Sequence, residues 1–473
     1  MISTTSPIIK SETDLQVAFE ALRANEQMLS DTSIASRKKK LRKLESALMS
    51  WRSRIKKSLY NDFGKAEAEV DMIDIYPVLA ASRHARRNLR SWSAQKGVAT
   101  PFAFIGARSY VRFEAKGLSL IISPWNYPIN LSLSPLVSAI AAGCPVLLKP
   151  SELTPHSSDL LHEMLAEIFP PDEVYVATGG VDVATELLAK PFRHIYFTGS
   201  SHVGKIVMTA AAKNLSSVTL ELGGKSPAII DESASLSQAV RRIVYTKWSN
   251  AGQTCIAPDY LLVHENIAKE LVDRIKSLVV TRFPQDLENK DYTRIVNQEH
   301  YKRLDQYIDD AVKRGAEVWT GGKHTTSHMR PTIITKVSVD ALVMKEEIFG
   351  PILPVIEYKS IDEAIGIINA QPRPLSMSVF GSNKKMRKRL IRESRAGNTC
   401  INHCAMHYYN PNLPFGGINN SGIGKGLGYN GFKAFSNERA IFQQIWPYSP
   451  HEWIHVPYTK LKRRFIDIIL NWL

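Results

Sequence analysis

Apolar residues recur at helical spacing through the first part of the chain, as at Leu41, Leu44 and Leu48, and Gly and Pro are few there. Residues 12 to 95 are therefore predicted to be mostly helical. From about residue 118 the period changes. LSLII (118–122) reads as a short apolar strand, Ser134-Pro135 opens a helix that runs through Ala142 and ends at Gly143, and VLL (146–148) is a second strand. Helix 156–168, strand 174–177, helix 182–189, strand 194–198, helix 202–213 and strand 218–222 follow. Strands that alternate with helices imply a parallel, doubly wound sheet, and ligands of such sheets bind beyond the carboxyl ends of the strands. The chemistry is thus expected in SPWNYP (123–128), KPSE (149–152), TGSSHVG (198–204) and GGKSP (223–227).

Three stretches carry a specific expectation beside a plain structural one. In TGSSHVG, Gly199 begins a tight turn, and the helix behind it has Val203, Ile206, Val207 and Ala210 on its apolar face. Free backbone amides could face a pyrophosphate there, although the segment lacks a full GxGxxG pattern and serves equally as a turn. VTLELGG (218–224) places Val218, Leu220 and Leu222 on one face and Thr219 and Glu221 on the other. Glu221 is then either a reactive carboxylate near a strand end or a paired structural glutamate. NAGQTCIAPDY (250–260) sets Cys255 among small and polar residues, between Gly252 and Pro258, on an irregular loop. A thiol in that setting is either a nucleophile or a small buried hydrophobe.

Composition narrows the class. The chain has 473 residues, 44% hydrophobic and 22% charged, enough for two or three domains with cores. Four cysteines without a CxxC pair form no disulfide framework and fit a reducing compartment; Cys400 and Cys404 read as structural. The N-terminal stretch lacks a basic region followed by an apolar core, and no window approaches the ~18 apolar residues of a membrane span, so a soluble cytoplasmic protein is expected. The net charge is +15, densest in RKKKLRK (37–43), KKMRKR (384–389) and KLKRR (460–464). These runs lie far apart and the first two read as solvated helix faces, so a nucleic-acid partner is not expected. A basic surface would still attract an anionic ligand such as a dinucleotide. No His/Cys cluster has metal-ligand spacing, so no metal is called for.

Taken together, PWNYP (124–128), LLKPSE (147–152), FTGS (197–200), LELGGKSP (220–227), GQTCIAPDY (252–260), EEIFGP (346–351) and LPFGGINNSGIG (413–424) resemble the aldehyde dehydrogenase superfamily, in its order and at roughly its spacing, across about 110 to 440. The short lead before Asn126, DYTRIVNQEHYKRL (291–304) and the passage from MHYYN to LPFGG (406–417) are similar to class 3 enzymes. Those act on medium or long-chain aliphatic and aromatic aldehydes and include the fatty and coniferyl aldehyde dehydrogenases. Two departures, Asn419 before Asn-Ser-Gly and GLGYNGF (426–432) in place of a Tyr-His-Gly-Lys stretch, bear on the substrate entrance rather than the chemistry.

The resemblance implies an α/β fold with a doubly wound parallel-sheet cofactor domain (1–223), an α/β catalytic domain (224–412), a bridging arm from 98–114 and 425–446, and a tail from 447 to 473. It implies Cys255 as nucleophile, Asn126 with the Cys255 backbone amide as oxyanion donors, and Glu221 as the base that activates water. Lys149 and Glu152 are assigned to the adenosine ribose, Gly199 and Ser200 to the pyrophosphate, and Glu347 with Phe349 to the nicotinamide ribose, although Phe349 would also serve as core. A carboxylate near the ribose favours NAD, with NADP open because class 3 relatives often accept both. A homodimer and a small-molecule aldehyde substrate are implied as partners. Two other readings are a coenzyme A-acylating enzyme, against which Glu221 argues, and a non-catalytic binding or structural member, against which Cys255, Asn126, Glu221 and Lys149 argue together.

The tail YTKLKRRFIDIILNWL (458–473) lies outside the motifs. As a helix it sets Leu461, Phe465, Ile468, Ile469 and Trp472 on one side and Lys460, Arg463, Arg464, Asp467 and Asn471 on the other, and its apolar part is too short to span a bilayer. It is expected to dock on its own domain, to cover the substrate entrance, or to lie on an anionic membrane surface as a peripheral contact.

Overall fold

The computed structural model describes residues 12–283, 291–322 and 325–472. Two sheets carry the architecture. The first has six strands in the order Gly422–Ile423, Ser217–Glu221, His194–Thr198, Ser119–Ile122, Val146–Lys149 and Val174–Val176, all parallel except the first pairing. Ser119–Ile122 and Val146–Lys149 are buried at every position, because helices cover both faces of a parallel sheet and leave no solvent side to mark with polar residues. From Ser119–Ile122 the chain steps outward through two strands and then returns to the other side at His194–Thr198. The order reverses between these neighbours, so the loops after them, 123–128 and 199–204, flank the crevice.

The second sheet has seven strands in the order Glu317–Thr320, Thr332–Thr335, Ile352–Tyr358, Tyr260–His264, Pro227–Ile230, Ser376–Phe380 and Asn398–Ile401, parallel apart from the first pair. A third, antiparallel ribbon joins Lys96–Val98, Ala107–Ala115 and Ser436–Gln444, with Ala115 opposite Ser436 and Ala107 opposite Gln444. Separate apolar cores underlie the first two sheets, whereas the ribbon leaves Phe442, Ile445 and Trp446 exposed.

Two local readings change. The helix expected from Ser134 begins at Pro128 and runs to Ala142, with Pro135 inside it. Every residue of it except Leu131 is buried, so no polar face betrays its start, and Pro128 at the first position needs no amide partner. Gly143, at φ 90°, ends it as expected. Within RKKKLRK, Arg37 is not a solvated charge: its guanidinium donates to the carbonyls of Ser30, Ala141 and Ala142, closing the carboxyl end of that same helix.

The tail forms the helix Lys460–Trp472, which rests on the turn Pro450–Ile454, Phe465 meeting Trp453 edge-on at 5.1 Å. Leu461, Phe465 and Ile468 stay 67%, 41% and 50% exposed, so docking on its own chain leaves most of the apolar stripe uncovered. No helix among the described residues is long and apolar enough to cross a membrane.

Candidate active site

Cys255 enters the site through a strained bend. Asn250, Ala251 and Gly252 hold positive φ of 52°, 51° and 75° in succession, a conformation that costs about 1 kcal/mol or more at each residue bearing a side chain. The bend is held from outside. The Glu69 carboxylate accepts from the Asn250 amide at 2.6 Å and from the Thr293 hydroxyl at 3.0 Å, while the Gln253 side chain donates to the carbonyls of Asn250 and Arg294 and accepts from the Val296 amide. Gly252 is required because a Cβ there would collide with the Gly350 carbonyl. Burial pushes the Cys255 thiol well up, and the neighbouring carboxyls of Glu347 and Glu221 add to this; the amides of Cys255 and Ile256 act in the opposite sense.

Asn126 lies on the loop beyond Ser119–Ile122 and is buried. One of its amide hydrogens goes to the Gln253 carbonyl at 3.0 Å. An amide nitrogen has two, so one remains for a ligand. Glu221 ends its strand with neither carboxyl oxygen hydrogen-bonded at ordinary geometry. Burial raises it to about 8, against the opposing pull of Lys425, the Gly426 amide and the Tyr196 hydroxyl. Glu347 is likewise raised to about 8, first by burial and then by Asp259, and its carboxylate lies against the Cα of Gly223.

Two cavities meet here. One, of about 90 Å³, is mostly apolar and tyrosine-walled, with Ile73, Tyr127, Tyr245, Met406, Tyr408 and Phe415 among its lining. The other, of about 580 Å³, is more polar and includes Trp125, Asn126, Gly199, Ser200, Glu347 and Phe349. Cys255 and Glu221 line both. Seven of the residues singled out in the sequence thus surround one junction, whereas Lys149 and Glu152 do not line either cavity. They lie at the end of the next strand, paired with each other at 2.7 Å.

The wider cavity fits a dinucleotide on three observations. Ser200 caps the helix Ser201–Lys213, its hydroxyl accepting from the Val203 amide at 3.2 Å, and Ser200, Ser201 and His202 line the cavity, so the positive end of the helix lies at its wall. Gly199 packs against the Phe197 ring and Gly204 against Leu222, with no room for a Cβ at either. Phe349, at φ 47°, stands edge-on to Trp125 at 5.3 Å and is therefore part of the wall rather than of a core. No cluster of metal-ligating side chains occurs among the described residues.

The motifs left several neighbours unmarked. Lys225 and Asp259 form a buried ion pair, and Lys225 also donates to the carbonyls of Val343 and Glu346 while Asp259 accepts from the Ile348 amide, which locks the segment bearing Glu347 and Phe349. Both residues sit inside quoted motifs, yet only their contact across 34 positions discloses the role. Tyr196, within a plain apolar strand, gave no signal at all.

Comparison with known proteins places the chain in a family. The model of the Aldehyde dehydrogenase family matches residues 5–441. A 4,4'-diaponeurosporen-aldehyde dehydrogenase of Staphylococcus aureus is 40% identical over 446 residues, covering 93% of this chain and 95% of the relative. A dimeric NADP-preferring aldehyde dehydrogenase of Rattus norvegicus is 39% identical, covering 81% and 84%. Among solved structures, the substrate-bound state of Staphylococcus aureus AldH superposes with a TM-score of 0.92 at 38% identity, covering 96% of this chain and 99% of that one.

Proposed function

The chain belongs to the aldehyde dehydrogenase family and oxidises aldehydes with a nicotinamide cofactor, and from that premise we propose that it converts medium- or long-chain aliphatic and aromatic aldehydes to carboxylic acids through a covalent adduct on Cys255. The observation that carries this reading is the position of Cys255 and Glu221 at the junction of a narrow apolar cavity and a wider polar one. An apolar substrate would enter through the first and the cofactor through the second.

The Cys255 thiolate attacks the aldehyde carbon, and the electron pair of the C=O bond moves to oxygen. The free hydrogen of the Asn126 amide and the Cys255 backbone amide hold that oxyanion, each contributing about 3 to 4 kcal/mol in the transition state. A nicotinamide held by Glu347 and Phe349 in the wider cavity would supply the hydride acceptor as the adduct on Cys255 collapses to a thioester. Glu221 then takes a proton from water, the hydroxide attacks the thioester carbon, and the sulfur departs as thiolate with the carboxylic acid as product. Raised by burial to about 8, Glu221 is a stronger base than an ordinary carboxylate. Coenzyme A acylation would need no such base, and a non-catalytic role would need neither the thiol nor the strained bend that presents it.

For the cofactor we assign Gly199 and Ser200 to the pyrophosphate and Glu347 with Phe349 to the nicotinamide ribose. Lys149 and Glu152 go to the adenosine ribose beyond the described cavity, where the Glu152 carboxylate favours the free 2'-hydroxyl of NAD. Residues 1–223 are read as the cofactor domain, 224–412 as the catalytic domain and 98–114 with 425–446 as the bridging arm, which the three separate sheets support. The exposed apolar residues of the ribbon support a homodimer joined through that arm, as does the rat relative's name. The tail helix is read as covering the entrance or as a peripheral contact with an anionic membrane.

Incubation with NAD and a panel of aldehydes, with and without coenzyme A, while following NADH absorbance tests the reading. NADH formed without coenzyme A, most efficiently from long-chain or aromatic aldehydes, supports it; strict dependence on coenzyme A, or no turnover, overturns it.

A further inference from the structure

A lysine and an aspartate buried beneath the site have no part in the steps above. Lys65, in the loop after the helix Arg52–Phe63, is fully buried and donates to Asp74 Oδ2 at 2.8 Å and to the Asn126 carbonyl at 2.9 Å. Its ammonium also lies 4.1 Å from the centre of the Tyr127 ring. Asp74, equally buried, accepts from the Asn130 amide at 3.4 Å through its other oxygen. Asn130 is in the first turn of the helix Pro128–Ala142, so the carboxylate satisfies an orphan amide of the helix that begins two residues after Asn126. Asn250, on the nucleophile's bend, completes the ring by donating to the same Asn126 carbonyl at 3.0 Å.

The segment that supplies Asp74 is unusual. Val70–Ile75 is a π-helical turn, in which residues five apart stack, whereas an α-helix would carry them to different sides. Glu69 and Asp74 are five apart, and the wide turn aims both carboxyls inward, one at the Asn250 amide and the other at Lys65. A single short segment thereby braces both the nucleophile's bend and the main chain of Asn126.

We propose that Lys65 and Asp74 are positioning residues for aldehyde addition: the pair fixes the Asn126 carbonyl and the helix start behind it, so that the free side-chain N–H of Asn126 meets the developing oxyanion. The inference rests on the reading of Asn126 given above. Neither residue touches substrate. Because the brace acts on the main chain of Asn126, its loss slows formation of the adduct without changing how tightly the cofactor binds or how readily the thiol reacts where no oxyanion forms.

The test compares Lys65→Met, Lys65→Met with Asp74→Asn, and Asn126→Ala in the full-length protein. Three quantities are measured: the rate of the first NADH turnover by stopped flow, the KM for NAD, and the rate at which iodoacetamide alkylates Cys255. The double variant removes both charges of the pair, leaves Glu69 its Asn250 amide and Thr293 hydroxyl partners, and is read if Lys65→Met does not fold. The proposal requires a first-turnover rate about tenfold or more below wild type, with KM for NAD and alkylation within about twofold. An unchanged first-turnover rate overturns it, and so does a parallel fall in alkylation, which marks a general collapse of the site. If Asn126→Ala itself keeps the wild-type first-turnover rate, the reading of Asn126 has failed instead; if Asn126→Ala is slow and the Lys65 variants are fast, only the positioning role has failed.

Discussion

Burial is the first cause that raises both Cys255 and Glu221, and each acts in its deprotonated form. Glu221→Gln cannot activate water, so it should release a burst of about one NADH per active site and then turn over slowly, because acylation survives and deacylation fails. Loss of the burst itself would place Glu221 earlier in the sequence. In the wild type the deacylation rate should climb with pH through about 8, since the active form is the carboxylate, and the Gln variant should lose that limb. Stability runs the other way. A carboxyl whose folded pKa lies above its ordinary 4.5 stabilises the fold fully below that value, and the contribution is lost as pH rises through about 8. Thermal melts should therefore show Glu221→Gln gaining on the wild type between about pH 4.5 and pH 8, with a constant gap above that; a constant gap throughout the window would show that folding does not raise Glu221. Cys255, Glu221 and Asn126 were legible as single letters in motifs. Lys65, Asp74, Glu69 and Tyr196 were not, because each matters through a contact two dozen or more positions away.

At the scale of elements, alternating strands and helices from 118 to 222 were readable because short apolar runs separated by polar loops have few other solutions. The start of Pro128–Ala142 was not, since a helix buried on nearly every side shows no period. Nor was the π-helical turn at Val70–Ile75, whose one-residue widening leaves the apolar spacing almost unchanged. The loops that meet at the crevice are fitted at backbone distance, and Gly223 is the clearest case: a Cβ there would run into the Glu347 carboxylate. Gly223→Ala should raise the KM for NAD by about tenfold or more while thermal stability falls little, because Glu347 must turn out of the cofactor cavity. An unchanged KM for NAD would detach Glu347 from the cofactor.

For the whole molecule, the three-sheet architecture was legible only through the family resemblance, since periodicity gives strands and helices but not which distant strands pair. Surface use was legible only as a pattern in the tail. Its exposed stripe of Leu461, Phe465 and Ile468, flanked by basic residues, leads to two measurements. Deleting 458–473 should raise the KM for long-chain aldehydes and leave short ones little changed, because only a long chain reaches the tail; equal changes for both would favour a purely structural helix. Full-length protein should sediment with anionic liposomes at low salt and be released at high salt, and the truncated protein should stay in solution. Absence of sedimentation would remove the membrane contact.

The central claim is that Cys255 carries the substrate as a thioester. Mixing Glu221→Gln with NAD and a long-chain aldehyde, quenching in acid after the first turnover and measuring the mass of the intact chain and of its Cys255 peptide tests it most directly. The predicted result is one acyl group per chain, on Cys255, in amounts matching the NADH released. NADH without any acyl adduct, or an adduct on Cys144, Cys400 or Cys404, would contradict it.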